Sequence, residues 1–222
     1  MRADTSAPAG AADSAPVGGA YLRALLDADL PAARRVLDDA VAAGLPVAAL
    51  YLDVLQPTLY EIGRLWSRAE VSVAQEHLAT AATEAAMARL AERLAAEPAA
   101  PRGLAIVACV SDELHAVGGR MVADFLQADG WEVVFLGALT PGDDVAALAA
   151  RRGAKVVALS AALPDRVPRV AEVCAALKAL DPAPFVLVGG QAFAGDLERA
   201  LRTGADAFAV DAADAVRALR ER

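Results

Sequence analysis

Histidine, cysteine and aromatic residues are scarce in this chain of 222 residues. It contains two histidines and two cysteines, and 5% of its residues are aromatic. Cys109 lies in a predicted strand and Cys174 on a predicted helix, so they form neither a CxxC pair nor a zinc-ligand cluster. We therefore expect both cysteines to be small, buried hydrophobic residues.

The sequence also lacks a long apolar run and an excess of basic residues. Its longest apolar stretch, 40–52, contains a glycine and a proline and is too short to cross a bilayer. The first residues lack the continuous apolar core of a secretory signal. A formal net charge of -8 argues against a nucleic-acid surface, which needs clustered Lys and Arg. We expect a cytoplasmic protein that contacts neither membrane nor nucleic acid directly.

The pattern of residues along the chain predicts a disordered tail and two folded domains. Residues 1–19 mix small and polar residues without periodicity, which is typical of disorder. Residues 20–97 show helical periodicity broken at proline, glycine and polar positions, and this pattern predicts a four-helix bundle. Two prolines near residues 98–102 predict a linker, and a second domain then occupies residues 103–222.

The second domain alternates short apolar runs with helix-like segments. The runs predict strands at Gly103–Val110, Glu132–Leu136, Lys155–Ser160, Phe185–Val188 and Ala207–Val210. This alternation predicts a flavodoxin-like (Rossmann-type), doubly wound parallel sheet, so the whole chain is of class α + α/β. Right-handed crossovers would gather the loops after the strands at one edge. We expect that edge to hold His115, Thr140, Ser160 and Gly189-Gly190.

His115 follows the first predicted strand, where open α/β sheets bind ligands. Glu113 stands two residues earlier and can orient the imidazole, as carboxylates do behind metal-bound histidines. Gly118-Gly119 and Gly189-Gly190 permit close backbone approach. A protein-built zinc site needs three or four ligands, and His115 does not belong to a cluster of His and Cys residues of that size. The pattern suits a metal whose other ligands arrive with a cofactor.

These residues resemble the cobalamin-binding pattern of methionine synthase and its corrinoid relatives. The matching positions are Glu113-x-His115-x-x-Gly118, then Ser160 after the third strand, then Gly189-Gly190 after the fourth. The resemblance implies that His115 ligates cobalt from the lower side, in place of the cofactor's own dimethylbenzimidazole. It also implies that the displaced nucleotide tail threads into the sheet domain beside Ser160 and the paired glycines.

The resemblance thereby implies a set of cofactor-binding residues in the second domain. They are Glu113, His115, Val117, Gly118, Ser160, Ala162, Gly189 and Gly190. Two positions depart from the family pattern. Glu113 stands where aspartate is usual, and Ala162 stands where a leucine usually follows the serine by two residues. The first change is chemically mild, and the second still leaves a narrow apolar wall.

A second group of residues lies in the helical domain. Trp66 ends the third predicted helix and Glu76-His77 lie in the first turn of the fourth, so they are neighbours across a short loop. A carboxylate can accept hydrogen bonds from a ribose or an adenine amine, and an indole can pack on either ring. This spacing is similar to that of CarH-type photoreceptors, which sense light with adenosylcobalamin. The resemblance covers residues 50–210.

That resemblance implies adenosylcobalamin between the helical bundle and the sheet domain. In those receptors light breaks the cobalt–carbon bond and the oligomeric state changes, and the resemblance implies the same response here. Ser67 stands where the best-known receptors carry a cobalt-binding histidine, so His77 is the remaining candidate for an upper ligand after photolysis. The repressor members carry a helix-turn-helix module before the bundle, and this sequence shows none. We expect the output to run through a homodimer or through an effector protein of unknown identity.

Three alternatives stay open at this point. Photocobilins resemble these receptors and also hold a bilin, and here a bilin such as biliverdin would be noncovalent, because neither cysteine is placed for a thioether bond. A corrinoid methyl carrier of a methyltransferase system is the main rival. A cobalamin-binding antirepressor is the third. We expect a sensor rather than an enzyme, because the bulky Trp66 and Glu76 fit poorly with the small upper cavity of a methyl carrier.

Overall fold

The computed structural model describes residues 14–94 and 100–222. The chain divides into two compact units, and the boundary follows Leu94. The first unit is helical and the second contains a parallel β-sheet, as the sequence predicts. Within the two described ranges, no helix combines the length and the apolar character that a membrane span requires.

The helices of residues 14–94 form the predicted four-helix arrangement. They are α1 Ser14–Leu26, α2 Leu30–Ala42, α3 Gln56–Ser67 and α4 Val73–Leu90. A single α-helical turn at Val47–Ala49 and a π-helix at Leu50–Leu55 lead directly into α3, and a 3-10 turn at Ala91–Arg93 follows α4. A capping box of Ser72 and Gln75 starts α4.

Helix α1 begins earlier than the sequence suggests. The composition predicts disorder over residues 1–19, but α1 starts at Ser14, and residues 1–13 lie outside the described ranges. The apolar face of α1 is buried, and the Tyr21 hydroxyl lies 3.2 Å from Thr83 Oγ1. This burial raises the pKa of Tyr21. Two glycines in the first half of α1 disfavour a helix there, and packing of the apolar face stabilises it.

The second unit is a doubly wound α/β domain. Its strands are β1 Gly103–Cys109, β2 Trp131–Phe135, β3 Val156–Ser160, β4 Phe185–Gly189 and β5 Ala207–Ala209. Its helices are α5 Val117–Ala128, α6 Gly142–Arg152, α7 Val167–Lys178, α8 Leu197–Leu201 and α9 Ala212–Arg220. All strand pairs are parallel, in the order β2-β1-β3-β4-β5. This order is flavodoxin-like and confirms the predicted fold class.

The register of the sheet aligns the ends of three strands. Ser160 at the end of β3 lies opposite Cys109 of β1 on one side and opposite Gly189 of β4 on the other. The chain leaves β1 and β3 in opposite directions across the sheet, so the topological switch point lies between these two strands. Ligands of open α/β sheets bind in the crevice at that point.

The β5 edge of the sheet is short. Strand β5 has three residues and pairs only with β4 in the described sheet. The next backbone N–H, of Val210, donates to Asp214 Oδ2 at 3.0 Å instead of continuing the strand. A side chain at the start of α9 therefore ends the strand after Ala209.

Both cysteines belong to the core of the second unit. Cys109 and Cys174 are fully buried and form no disulfide. Burial raises the pKa of the Cys109 thiol to about 12 and also raises the pKa of Cys174. The strands around them are buried on both faces, which accounts for the near-continuous apolar runs in the sequence. The prediction that these cysteines act as small hydrophobic residues is confirmed.

A buried carboxylate joins three segments at the opposite end of the sheet. Asp129, which follows α5, accepts a hydrogen bond from Arg220 Nε at 2.8 Å, and its Oδ2 lies 3.0 Å from Arg102 Nε. Arg102 also donates from Nε to the Asp129 carbonyl and from its backbone to Gly130. The last residue of the linker predicted at residues 98–102 is therefore held by the α/β unit.

We expect Asp129→Asn to lower the free energy of unfolding by about 1–3 kcal/mol, because the buried carboxylate that forms ion pairs with two arginines loses its charge. Urea denaturation followed by circular dichroism measures the change. Glu132→Gln is the matched control, since the ion pair of Glu132 with Arg152 is exposed and such pairs contribute about 0–1 kcal/mol. Equal losses in the two variants would contradict the assignment.

Candidate functional site

Glu113 and His115 form a tight pair in the loop between β1 and α5. The Glu113 side chain is 0% exposed, and Oε1 accepts a hydrogen bond from the backbone N–H of His115 at 2.9 Å. The same Oε1 lies 2.5 Å from His115 Nδ1. The imidazole side chain is 56% exposed. A buried carboxylate therefore holds an accessible imidazole in one orientation, which is the arrangement seen behind metal-bound histidines.

The second oxygen of Glu113 binds a different loop. Oε2 accepts from the backbone N–H of Ala162 at 2.8 Å and from that of Leu163 at 3.4 Å. Ala162 and Leu163 follow the end of β3 by two and three residues. Glu113 therefore connects the loop after β1 to the loop after β3, on the two sides of the switch point.

The hydrogen bonds of Glu113 determine its charge. Burial alone would raise its pKa, but hydrogen bonds from the His115 ring, the His115 backbone and the Ala162 backbone outweigh burial and lower the pKa to about 2. The carboxylate is therefore ionised at neutral pH and can only accept hydrogen bonds. His115 Nδ1 must carry the proton of the shared bond, which makes Nε2 the nitrogen that can ligate a metal.

A metal at His115 has to bring most of its ligands with it. The parts of the chain that the structure describes contain no group of three or more His, Cys, Asp or Glu that could hold a metal ion. A protein-built zinc site needs at least three protein ligands. An accessible imidazole backed by a buried carboxylate fits a metal that is already held by a macrocycle.

The paired glycines after β4 allow two backbones to approach closely. A Cβ on Gly190, which has φ +105°, would lie 2.2 Å from the Ala161 carbonyl oxygen. A Cβ on Gly189 would lie 2.7 Å from the Ala209 carbonyl oxygen. The chain itself therefore requires glycine at both positions. Their predicted role beside a nucleotide tail is consistent with a wall built from backbone.

The two glycines after His115 differ from each other. A Cβ on Gly118 would meet no atom within 4 Å, whereas one on Gly119 would lie 3.2 Å from Cys109 Sγ and 3.6 Å from Ser160 Cβ. The sequence pattern predicts close backbone approach at both glycines and names Gly118 alone as a cofactor-binding residue. Gly119 is the glycine that lets α5 pack against the end of β3. Gly118 leaves open space beside the half-buried Val117.

Three exposed leucines surround the Glu113–His115 pair and were not predicted. Leu114 is 70% exposed, and Leu139 and Leu163 are also exposed. Leu139 donates its backbone N–H to the Glu113 carbonyl at 3.0 Å and adopts φ +56°, which is unusual for leucine. Exposed apolar side chains on three neighbouring loops suit a flat, partly apolar ligand. From the sequence, a leucine that follows a strand is expected in the core. Only the loop geometry of the structure shows that these leucines are exposed.

Thr140 also joins this edge, as the sequence predicts. Its backbone N–H donates to the Cys109 carbonyl at 3.3 Å, and its carbonyl accepts from Ser111 Oγ at 3.4 Å. The loops after β1, β2, β3 and β4 therefore meet at one edge of the sheet, and the predicted residues of the second unit lie there. Their contact with a cofactor stays a prediction.

Trp66, Glu76 and His77 lie at one end of the helical unit, where residues 68–72 connect α3 to α4. Trp66 is 48% exposed, although large aromatic residues are usually buried. Glu76 Oε1 accepts from Thr80 Oγ1 at 2.9 Å, and Glu76 Oε2 lies 3.5 Å from Nε2 of the exposed His77. The predicted role of these side chains around an upper ligand stays a prediction.

Comparisons with known proteins find matches in both units of the chain. A family model for the B12 binding domain matches residues 103–220, and a second model with the same description matches residues 19–91. The HTH-type transcriptional repressor CarA of Myxococcus xanthus is 36% identical over 159 residues, which cover 70% of this chain and 51% of CarA. The chain thus spans about half the length of this relative.

Corrinoid proteins of Methanosarcina species are also similar. Monomethylamine corrinoid protein 2 of Methanosarcina acetivorans is 29% identical over 132 residues, or 58% of this chain and 61% of that protein. The solved structure of the Methanosarcina barkeri monomethylamine corrinoid protein has a TM-score of 0.81 at 24% identity, covering 94% of this chain and 99% of that one. This likeness shows the fold.

We expect Glu113→Gln to lower the free energy of unfolding at pH 6 by about 1–3 kcal/mol, because the new amide group must face a backbone or ring N–H. The native pKa of about 2 lies below the ordinary value of 4.5. The stabilisation by the carboxylate is therefore complete above the ordinary pKa and is lost as the pH falls toward 2. Urea unfolding of the unmodified chain and of the variant, at pH 6 and at pH 3, should show a smaller difference between their free energies of unfolding at pH 3. A difference independent of pH would be inconsistent with this role.

Proposed function

Because the chain belongs to the B12-binding domain family, we propose that it binds adenosylcobalamin and uses it to sense light. The observation that carries the light-sensing part is the half-exposed Trp66 near the end of α3, with Glu76 in the first turn of α4 across a short loop. A bare methyl ligand does not need an indole and a carboxylate next to it. A nucleoside does, since it offers a flat ring system, ribose hydroxyls and an amine.

His115 holds the cofactor's cobalt from the lower side through Nε2 in this proposal. Glu113 supports this role, because its hydrogen bond to Nδ1 fixes the ring and increases the basicity of the other nitrogen. The exposed leucines would contact the ring system, and Ser160, Gly189 and Gly190 would line the wall for the nucleotide tail. When bound, the cofactor supplies a cobalt–carbon bond that light can break.

The helical unit supplies the residues for the upper ligand. Trp66 packs on the nucleoside, and Glu76 accepts hydrogen bonds from its hydroxyl or amine groups. His77 is strongly exposed and adjacent to Glu76, so it is the side chain that we assign to the cobalt after photolysis. Loss of the nucleoside would leave Trp66 and Glu76 without their ligand, and this change at the surface of the helical unit is the proposed signal.

The similarity to CarA, which is a transcriptional repressor by name, supports a role in signalling. We propose that the chain acts without turnover of a substrate and passes its signal through a homodimer or an effector protein. A corrinoid methyl carrier is the second candidate, and the similarity to the monomethylamine corrinoid proteins favours it. The two candidates differ in the response of the loaded protein to light.

We expect the chain loaded with adenosylcobalamin in darkness to change both its visible spectrum and its elution volume under green light. Absorption spectroscopy and size-exclusion chromatography measure the two changes. The same chain loaded with hydroxocobalamin is the control, because hydroxocobalamin carries no adenosyl group on cobalt that light could release. His115→Ala should abolish the spectrum of histidine ligation. Unchanged traces together with methyl-transfer activity would support the carrier instead. Parallel loading with biliverdin tests for a second chromophore.

We expect Trp66→Ala to weaken the binding of adenosylcobalamin by roughly 10-fold, the scale of one aromatic stacking contact, and to leave hydroxocobalamin binding nearly unchanged. Tyr60→Ala is a matched control, because Tyr60 is an aromatic residue of the same helix with similar exposure. Titration followed by absorbance gives the dissociation constants. An equal loss for both cofactors would argue against contact between Trp66 and the nucleoside.

A further inference from the structure

Arg166 has a buried guanidinium nitrogen whose hydrogen bond is missing. Its side chain is 26% exposed, and Nη1 donates to Asp165 Oδ2 at 3.1 Å. Its Nε is buried and has no hydrogen-bond partner among the residues that the structure describes. A buried donor without an acceptor destabilises the folded state. A buried arginine nitrogen normally has a hydrogen-bond acceptor, and the described residues of this protein provide none for Arg166 Nε.

Arg166 belongs to the same wall as the predicted tail residues. It ends a 3-10 turn, Pro164–Arg166, which follows the loop after β3 and packs against the 3-10 turn Gln191–Phe193 after Gly190. Backbone hydrogen bonds join these two loops, because Ala161 donates to the Gly189 carbonyl and accepts from Ala192, each at 3.1 Å. The arginine therefore lies on the turn that extends the wall beyond Ser160 and the paired glycines.

The chemistry of this position indicates an anion. A second guanidinium lies beside the turn, since Arg199 Nη2 donates to the Pro164 carbonyl at 3.4 Å. The nearest carboxylate partner of Arg166, Asp165, is largely exposed and only weakly offsets the positive charge. The planar guanidinium is the protein group that best matches phosphate oxygens.

We propose that Arg166 binds the phosphodiester of the cofactor's nucleotide tail through its buried Nε. The proposal rests on the proposed function, in which the tail lies along Ser160, Gly189 and Gly190. The phosphodiester is the negatively charged group of that tail. Arg166 would thus select a complete cobalamin over a corrinoid that lacks the nucleotide.

The test compares adenosylcobalamin with adenosylcobinamide, which lacks the phosphodiester and the nucleotide. Arg166→Gln should weaken the binding of adenosylcobalamin by about 10-fold or more, the scale of a charge-assisted hydrogen bond, and should leave the binding of adenosylcobinamide unchanged. Retained adenosylcobinamide binding also shows that the variant is folded. Arg166→Lys should restore part of the loss, because it keeps the charge.

Arg169→Gln is the matched control. Arg169 lies three residues further on, is exposed, and pairs with Glu172 and Asp112. Its loss should change neither dissociation constant. An unchanged affinity of Arg166→Gln for adenosylcobalamin, or an equal loss for both corrinoids, overturns the proposal. Failure of the unmodified chain to bind adenosylcobalamin would instead reject the proposed function, and this inference with it.

Discussion

The hydrogen bonds of one buried carboxylate organise the candidate site of the α/β unit. Glu113 accepts from the backbone and the ring of His115 with one oxygen and from the backbone of Ala162 with the other. An ionised group without water is stable only when such donors surround it. The loops after β1 and β3 must therefore keep their mutual position as long as Glu113 stays buried and charged. The orientation of the imidazole is a consequence of that requirement.

The topology of the sheet makes this arrangement possible. In the order β2-β1-β3-β4-β5 the chain departs from β1 and β3 toward opposite edges, so a gap opens between the loops that follow them. The buried Glu113 side chain connects the two loops across that gap. The wall next to it is made of backbone, because Gly189 and Gly190 admit no side chain. A wall of backbone near an accessible imidazole is suited to a large ligand with a long tail.

The sequence predicts the elements of this protein better than its loops. Buried parallel strands leave apolar runs, and His115, Ser160 and Gly189 could be located because each lies at or just beyond the end of such a run. The exposure of Leu139 and the unpaired nitrogen of Arg166 depend on loop backbone and on neighbours far away in sequence. The early start of α1 depends on packing against α4, which no local pattern encodes.

The short β5 edge has a consequence for how copies of this chain can associate. A long, exposed edge strand invites another chain to extend the sheet, which leads to aggregates. Here β5 presents three residues, and the N–H of Val210 is already taken by Asp214. Few backbone groups are left at this edge for a neighbouring strand to form hydrogen bonds with. Association at that edge has to use side chains, and side-chain contacts can be made and broken without templated fibre growth.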